Sequence, residues 1–115
     1  MRAVGVKSVR EEPADADGFR ILVNRLWPRG ISKAKAAVDE WCKLIAPSTA
    51  LRRAFHSDEI DYTVFRARYF DEIASNSDVS AAFRELVVVH LPVTLVYDSK
   101  RSPNHADVLC DWLDL

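Results

Sequence analysis

Two short loops hold most of the chemistry that this sequence can offer. Arg25 and Arg29 flank Leu26-Trp27-Pro28, and Lys100 and Arg101 precede Ser102-Pro103-Asn104-His105. Arginine presents a rigid fork of donors that matches phosphate or carboxylate, and tryptophan offers a face on which a base or ring can stack. Pro28 fixes φ and Gly30 permits a sharp exit, so both arginines sit on a stiff turn. In the second loop Ser102 reads as a helix cap and Pro103 as the first helical residue. That placement aims the backbone amides of Asn104 and His105 out of a helix end, beside Lys100 and Arg101. Cations beside a helix N-terminus suit an anion. The expected ligand-binding set is therefore Arg25, Trp27, Arg29, Lys100 and Asn104.

Proton transfer at such a site falls to Asp98 and His105. Asp98 follows an apolar strand, and His105 sits in a first helical turn, where the helix field disfavours its charged form. Each has a plainer alternative. Asp98 can serve as ion-pair partner to Arg25 or Arg29, and His105 can bond a neighbouring carbonyl. Trp27 can cover the core while the arginines pair with acids elsewhere. His56 reads as a helix-end residue and His90 as a boundary residue before Pro92. Scattered histidines without ligand spacing predict no metal site, and no cofactor is expected. There is no Walker loop, nucleophile elbow or dinucleotide fingerprint, so hydrolysis is permitted by these residues without being demanded by them.

The elements that must position these groups follow from periodicity. Strands are expected over Ala3 to Val9, Phe19 to Asn24 and Val93 to Tyr97, the last nearly all apolar, as a centrally placed strand would be. The link from Arg10 to Gly18 is too short for a crossover helix, so the first two strands are antiparallel neighbours or not directly paired. A helix opens near Ser32, and Val38, Trp41, Cys42 and Ile45 recur at helical spacing on one face. Ser48 caps the next helix, with Leu51 and Phe55 inward. Tyr62, Phe65, Tyr69 and Ile73 line a longer one. Val79, Ala82, Phe83, Leu86 and Val87 line another, capped by Ser77 or Asp78, and Ala106, Leu109, Cys110 and Leu113 line the last. The expected fold is a single compact α/β domain over residues 1–115. Its small, mostly parallel sheet has about three strands, with an antiparallel or loosely paired N-terminal strand, and four to five helices cover it. In such sheets the loops leaving the carboxyl ends of parallel strands gather along one edge, where ligands bind.

Composition excludes little. The 115 residues are 49% hydrophobic and 29% charged with a net charge of −1, which suits a soluble domain with no global pull toward nucleic acid or membrane. The charge is unevenly spread: residues 1–57 carry 11 Lys/Arg against 6 Asp/Glu, and residues 58–115 carry 5 against 11. Such asymmetry can steer an anion, pair two copies as a homodimer, or simply mark solvated helix faces. Cys42 and Cys110 are spaced for neither a metal nor a redox motif and read as buried thiols on helices. No secretory or membrane-spanning run is visible, so the cytoplasm is the expected compartment.

The run Phe19-Arg20-Ile21-Leu22-Val23-Asn24-Arg25-Leu26-Trp27-Pro28-Arg29-Gly30 resembles the signature of the YeaO-like bacterial proteins, domain of unknown function 488. Ile45-Ala46-Pro47-Ser48 with Leu51-Arg52, Phe55-His56, Phe65 with Tyr69, and Val93 to Tyr97 with Lys100, Asn104-His105-Ala106 and Val108-Leu109 fit the same pattern. The resemblance covers nearly the whole chain and implies a compact α/β fold. It carries no activity with it. It also marks two departures: Asn24 stands where that family usually has Asp, and Asp98 where it usually has a small residue. One consequence would be that Asp98 supplies, from the adjacent strand, a carboxylate that Asn24 lacks. The expected function is a binding site for a small phosphate- or carboxylate-bearing ligand at the strand-to-helix loops. A nucleic-acid-binding module and a protein-interaction domain without catalysis are the alternatives.

Overall fold

In the computed structural model, which describes residues 3–115, four strands form one sheet in the order β1-β4-β2-β3, and every pairing is parallel. The strands are β1 (Val4–Ser8), β2 (Phe19–Leu22), β3 (Glu40–Trp41) and β4 (Val93–Tyr97). The helices are α1 (Lys33–Ala36), α2 (Thr49–His56), α3 (Tyr62–Ser75), α4 (Ser77–His90) and α5 (His105–Leu113). The α/β class and the parallel sheet are as expected. The N-terminal strand is not antiparallel: it pairs with β4 in parallel along its whole length, Val4 opposite Val93 and Ser8 opposite Tyr97. It is indeed not paired with β2, because β4 lies between them.

Alternation along the strands sorts the core onto two faces. Val4, Ile21, Val23, Val93 and Leu95 join Phe55, Phe65, Tyr69, Ile73, Phe83, Leu109 and Leu113 from α2 to α5 in the larger cluster. Leu22 and Val96 face the other way and form a smaller cluster with Val9, Ile31 and Ala36, flanked by Trp27 and Val38. β4 is buried on both faces, which explains its unbroken apolar run.

The segment after Ser32 departs from expectation. Ser32 does cap a helix, its Oγ accepting from Lys35 N, but α1 lasts one turn before Ala37 takes a left-handed conformation (φ 49°). Asp39 then exchanges two hydrogen bonds with the Arg20 backbone, and Glu40–Trp41 adds to the sheet edge opposite Ile21–Leu22. Val38 and Ile45 end in different clusters, so their helical spacing did not mark one face. Cys42 is half-buried and lies off any helix. Two caps also moved. Asn76 alone separates α3 from α4, so α4 starts at Ser77 with no side-chain cap bond, and neither Ser77 nor Asp78 is the cap. α5 starts at His105 and not at Pro103. There Asn104 Oδ1 accepts from Ala106 N while the Asp107 carboxylate accepts from Asn104 N (2.8 Å), a reciprocal pair that Ser102 cannot match.

The link between β1 and β2 must run back along the sheet without a helix. Its ten residues can span about 33 Å, twice the length of a five-residue strand, so reach is ample and anchoring decides its path. Asp17, in a short 3-10 turn (Asp15–Asp17), is the anchor: its carboxylate meets Arg20 Nη1 at 2.6 Å and Lys7 Nζ at 2.9 Å, and accepts from Ala14 N. Thr94 Oγ1 donates to the Asp17 carbonyl. Gly18 follows at φ 66°, where a Cβ would run into the Pro92 carbonyl oxygen, so the turn into β2 requires glycine.

Burial pushes the Asp17 carboxyl up, but Lys7, the Ala14 amide and Arg20 outweigh it and hold it below the usual carboxylate range. Its contribution to stability is thus complete above about pH 4 and lost as pH falls further. Replacement by Ala strands the buried Arg20 without a counter-charge, and Asp17→Ala should cost about 3–5 kcal/mol in urea unfolding. A loss under about 1 kcal/mol, the scale of an exposed pair, would show that backbone bonds alone hold the link.

Candidate functional site

Because β2 and β4 are parallel neighbours, Phe19 opposite Val93 and Leu22 opposite Val96, the loops that follow them leave the sheet side by side. Asn24 joins them. Its Nδ2 donates to the Asp98 carbonyl (3.1 Å) and its Oδ1 accepts from Asp98 N (3.2 Å). This pairing with a peptide group fixes the amide's orientation, so Oδ1 faces His105 Nε2 at 3.0 Å. An amide oxygen only accepts, and His105 therefore donates from Nε2. Burial, aided by His56 and Arg52, lowers the His105 pKa to about 4, against a weaker upward pull from a hydrogen bond to the Val23 backbone. The ring is neutral near pH 7, with its Nε2 proton engaged by Asn24.

A cavity of about 160 Å³ opens beside this junction. Asn24, Arg25 and Leu26 line it from the β2 loop, Asp98 and His105 from the β4 side, and Ala46, Pro47 and Thr49 from the approach to α2. Arg52, Arg53 and His56 on α2 complete its wall. α2 is set by its own cap: Ser48 Oγ accepts from Leu51 N and donates to Glu72 Oε2, while Ser48 N donates to Glu72 Oε1. Leu51 and Phe55 then face the core, which turns the basic side of the helix outward.

Charge in the cavity is lopsided. Arg25 is pinned by hydrogen bonds to the Ala46 and Pro47 carbonyls (2.9 and 3.3 Å), acceptors that leave its full charge uncompensated. Arg52 and Arg53 have no side-chain partner among the described residues. Among the described residues the one carboxylate in the wall is Asp98, held by Arg10 through Nε (3.1 Å) and Nη2 (3.2 Å), so Arg10 and not Arg25 or Arg29 is its ion-pair partner. His56 is held below its usual pKa by burial and by Arg52 and Arg101.

The residues expected to form a site are divided by this geometry. Arg25, Asp98 and His105 line the cavity. Trp27, Arg29, Lys100 and Asn104 do not. Trp27 donates to the Ile31 carbonyl (2.6 Å) and packs against the smaller core cluster. Asn104 is buried, its side chain spent on Ala106 N and the Arg101 carbonyl. Arg29 and Lys100 are exposed outside the cavity. Arg52, Arg53 and Arg10 were not anticipated. Their signal was available: Arg10 follows a strand end as Arg25 and Lys100 do, and Arg52, Arg53 and His56 recur on one turn of a helix whose Leu51 and Phe55 point inward. Among the described residues no group of three or more His, Cys, Asp or Glu side chains could hold a metal ion, and no helix is long and apolar enough to cross a membrane.

Fold and site together define a parallel α/β domain with a cationic cavity at the carboxyl edge of its strands. Residues 3–115 match a family model described as the inactive DUF488-N3 subclade. The chain is 46% identical over 108 residues to the uncharacterized protein YeaO of Escherichia coli K12, covering 93% of each. It is 39% identical over 113 residues to the uncharacterized proteins Rv3073c of Mycobacterium tuberculosis and Mb3100c of Mycobacterium bovis, covering 96% of this chain and 93% of theirs. No solved structure matches it. The chain belongs to the YeaO-like family of domain of unknown function 488.

His105 also makes stability depend on pH. Its folded pKa lies below the unfolded value of about 6.5, so its contribution is complete above that pH and is lost as the unfolded chain takes up a proton below it. Between pH 7.5 and pH 5 the loss should be about 2 kcal/mol by urea denaturation, and His105→Gln should flatten it. An unchanged slope in that variant would assign the acid sensitivity to another group.

Proposed function

We propose that this protein is a binding domain for a small phosphate- or carboxylate-bearing anion, held in the cavity between α2 and the loops after β2 and β4. The observation that carries this reading is the charge balance of the wall. Among the described residues, the Arg52 and Arg53 side chains have no partner, Arg25 is fixed by carbonyls, and the one carboxylate in the wall is already neutralised by Arg10. Charge-assisted bonds from several guanidinium groups in one concave site suit an oxyanion.

Binding without turnover is the form of this function that fits the local chemistry. Asp98, the candidate base, is engaged bidentately by Arg10, and the Nε2 proton of His105 is engaged by Asn24. Asn24, beside both of them, cannot itself take a proton at neutral pH. The matching family model, described as an inactive subclade, agrees with this.

Calorimetric titration with inorganic phosphate, a sugar phosphate and a dicarboxylate tests the proposal. At least one should bind saturably, and Arg52→Ala and Arg53→Ala should each weaken it by roughly 10-fold or more, since a hydrogen bond to a charged group contributes about 1.5–3 kcal/mol. Arg29→Ala, outside the cavity, should change affinity little. Failure of every anion to bind wild type would sink the reading.

A further inference from the structure

His56, the last residue of α2, lines the same cavity as Arg25, Arg52 and Arg53. Its half-buried ring meets Phe55 edge-on, with centroids 5.9 Å apart, and has no hydrogen-bond partner among the described residues. Its backbone is tied where the ring is not. The His56 carbonyl accepts from Arg101 Nη2 at 2.7 Å, and Arg101 Nη1 meets Asp58 at 2.6 Å. The end of α2 is thus held against the loop after β4, while the imidazole stays able to change charge. The groups around it oppose that change. Burial and the cations Arg52, one turn back, and Arg101 keep the ring neutral to a lower pH than usual. Arg53 and Arg25 share its cavity and add charge of the same sign. His105 on α5 is neutral, with its Nε2 proton on Asn24. The acids on this side are already matched, Asp58 by Arg101 and Asp98 by Arg10. Only the field at a helix C-terminus favours an imidazolium here.

We propose that His56 is the proton-linked contact of the anion site: as an oxyanion enters, the ring takes a proton from solvent and binds the anion as an imidazolium. The inference rests on the anion-binding reading and adds its regulation. An oxyanion among the guanidinium groups offsets their repulsion of a charged ring and gives it the acceptor it lacks, and an adjacent opposite charge favours the charged form. The sign follows from linkage. The ring holds its proton to a higher pH with the anion bound than without it, so affinity rises as pH falls and the anion is released as pH rises. His105 does not serve in this way, because its Nε2 proton is already engaged.

The experiment is titration of the full chain with sulfate, whose double charge is constant between about pH 5.5 and pH 8, so that a change in affinity comes from the protein. Sulfate should bind at least about threefold more tightly at pH 5.5 than at pH 8, since linkage allows up to tenfold for each pH unit by which binding moves the midpoint of the ring. Calorimetry near pH 6.5 in two buffers of different ionisation heat should show net proton uptake. Proton NMR of the three histidine rings assigns it: sulfate should move the His56 midpoint upward and leave that of His90, outside the cavity, in place. His56→Gln keeps a donor but cannot take the proton, so its affinity for sulfate should not vary with pH and its binding should take up no proton. Urea midpoints show that the variant is folded. A wild-type affinity that is flat with pH, or a pH dependence that survives in folded His56→Gln, overturns the proposal and leaves the anion site standing. If the variant does not fold, the wild-type NMR titration decides, and a His56 midpoint unmoved at saturating sulfate overturns the proposal. Absence of sulfate binding at both pH values overturns it as well, and the anion site then stands or falls with the phosphate and dicarboxylate titrations.

Discussion

The buried Asp17 carboxylate is the constraint on which the rest of this structure depends. β1 and β2 run parallel with one strand between them, and ten residues without an α-helix must bring the chain back to the start of the sheet. Parallel strands normally return through a helix whose apolar face anchors the crossing. Here a charge does that work: Lys7 from β1, Arg20 from β2 and the Thr94 hydroxyl from β4 all converge on Asp17. Thr94 and Arg20 are register partners, so the anchor also locks β4 against β2. Burying such a group is tolerable only because each of its oxygens is paired.

Functional geometry follows from that crossing. With β4 seated between β1 and β2, three strand ends deliver Arg10, Asn24 and Asp98 to one edge, and the Asn24 amide closes the junction by pairing with the Asp98 peptide. Arg10 neutralises Asp98, the acid among these three. Further along, the Ser48 cap and its Glu72 partner set α2 so that Arg52 and Arg53 look across at the same junction. The cationic wall is thus assembled from segments that are distant in sequence and share no local pattern.

Asn24 is the side chain that closes the junction of the two loops. A carboxylate at this position would accept from His105 and the Asp98 amide but would face the Asp98 carbonyl with no proton to offer. The amide satisfies all three neighbours and leaves His105 neutral in a setting where burial and nearby cations already oppose its charge. Local stability and the absence of a proton acceptor at this position come from the same side chain.

The sequence by itself determined the α/β class, three of the strands, most of the helices and the Ser48 cap. Those depend on local period and capping chemistry, which short windows of sequence carry. It also identified Arg25, Asp98 and His105 as residues of one edge, since a strand followed by a basic loop is a local signal. What tertiary structure decided is where side chains with several suitable partners settled. Trp27 met the Ile31 carbonyl, Asn104 displaced Ser102 as a cap because Asp107 could answer it, and the stretch around Val38 to Ile45 left helical spacing for an edge strand because Arg20 offered its backbone to Asp39. Each choice turns on a competition between contacts of similar worth, and only the assembled sheet places the competing partners within reach.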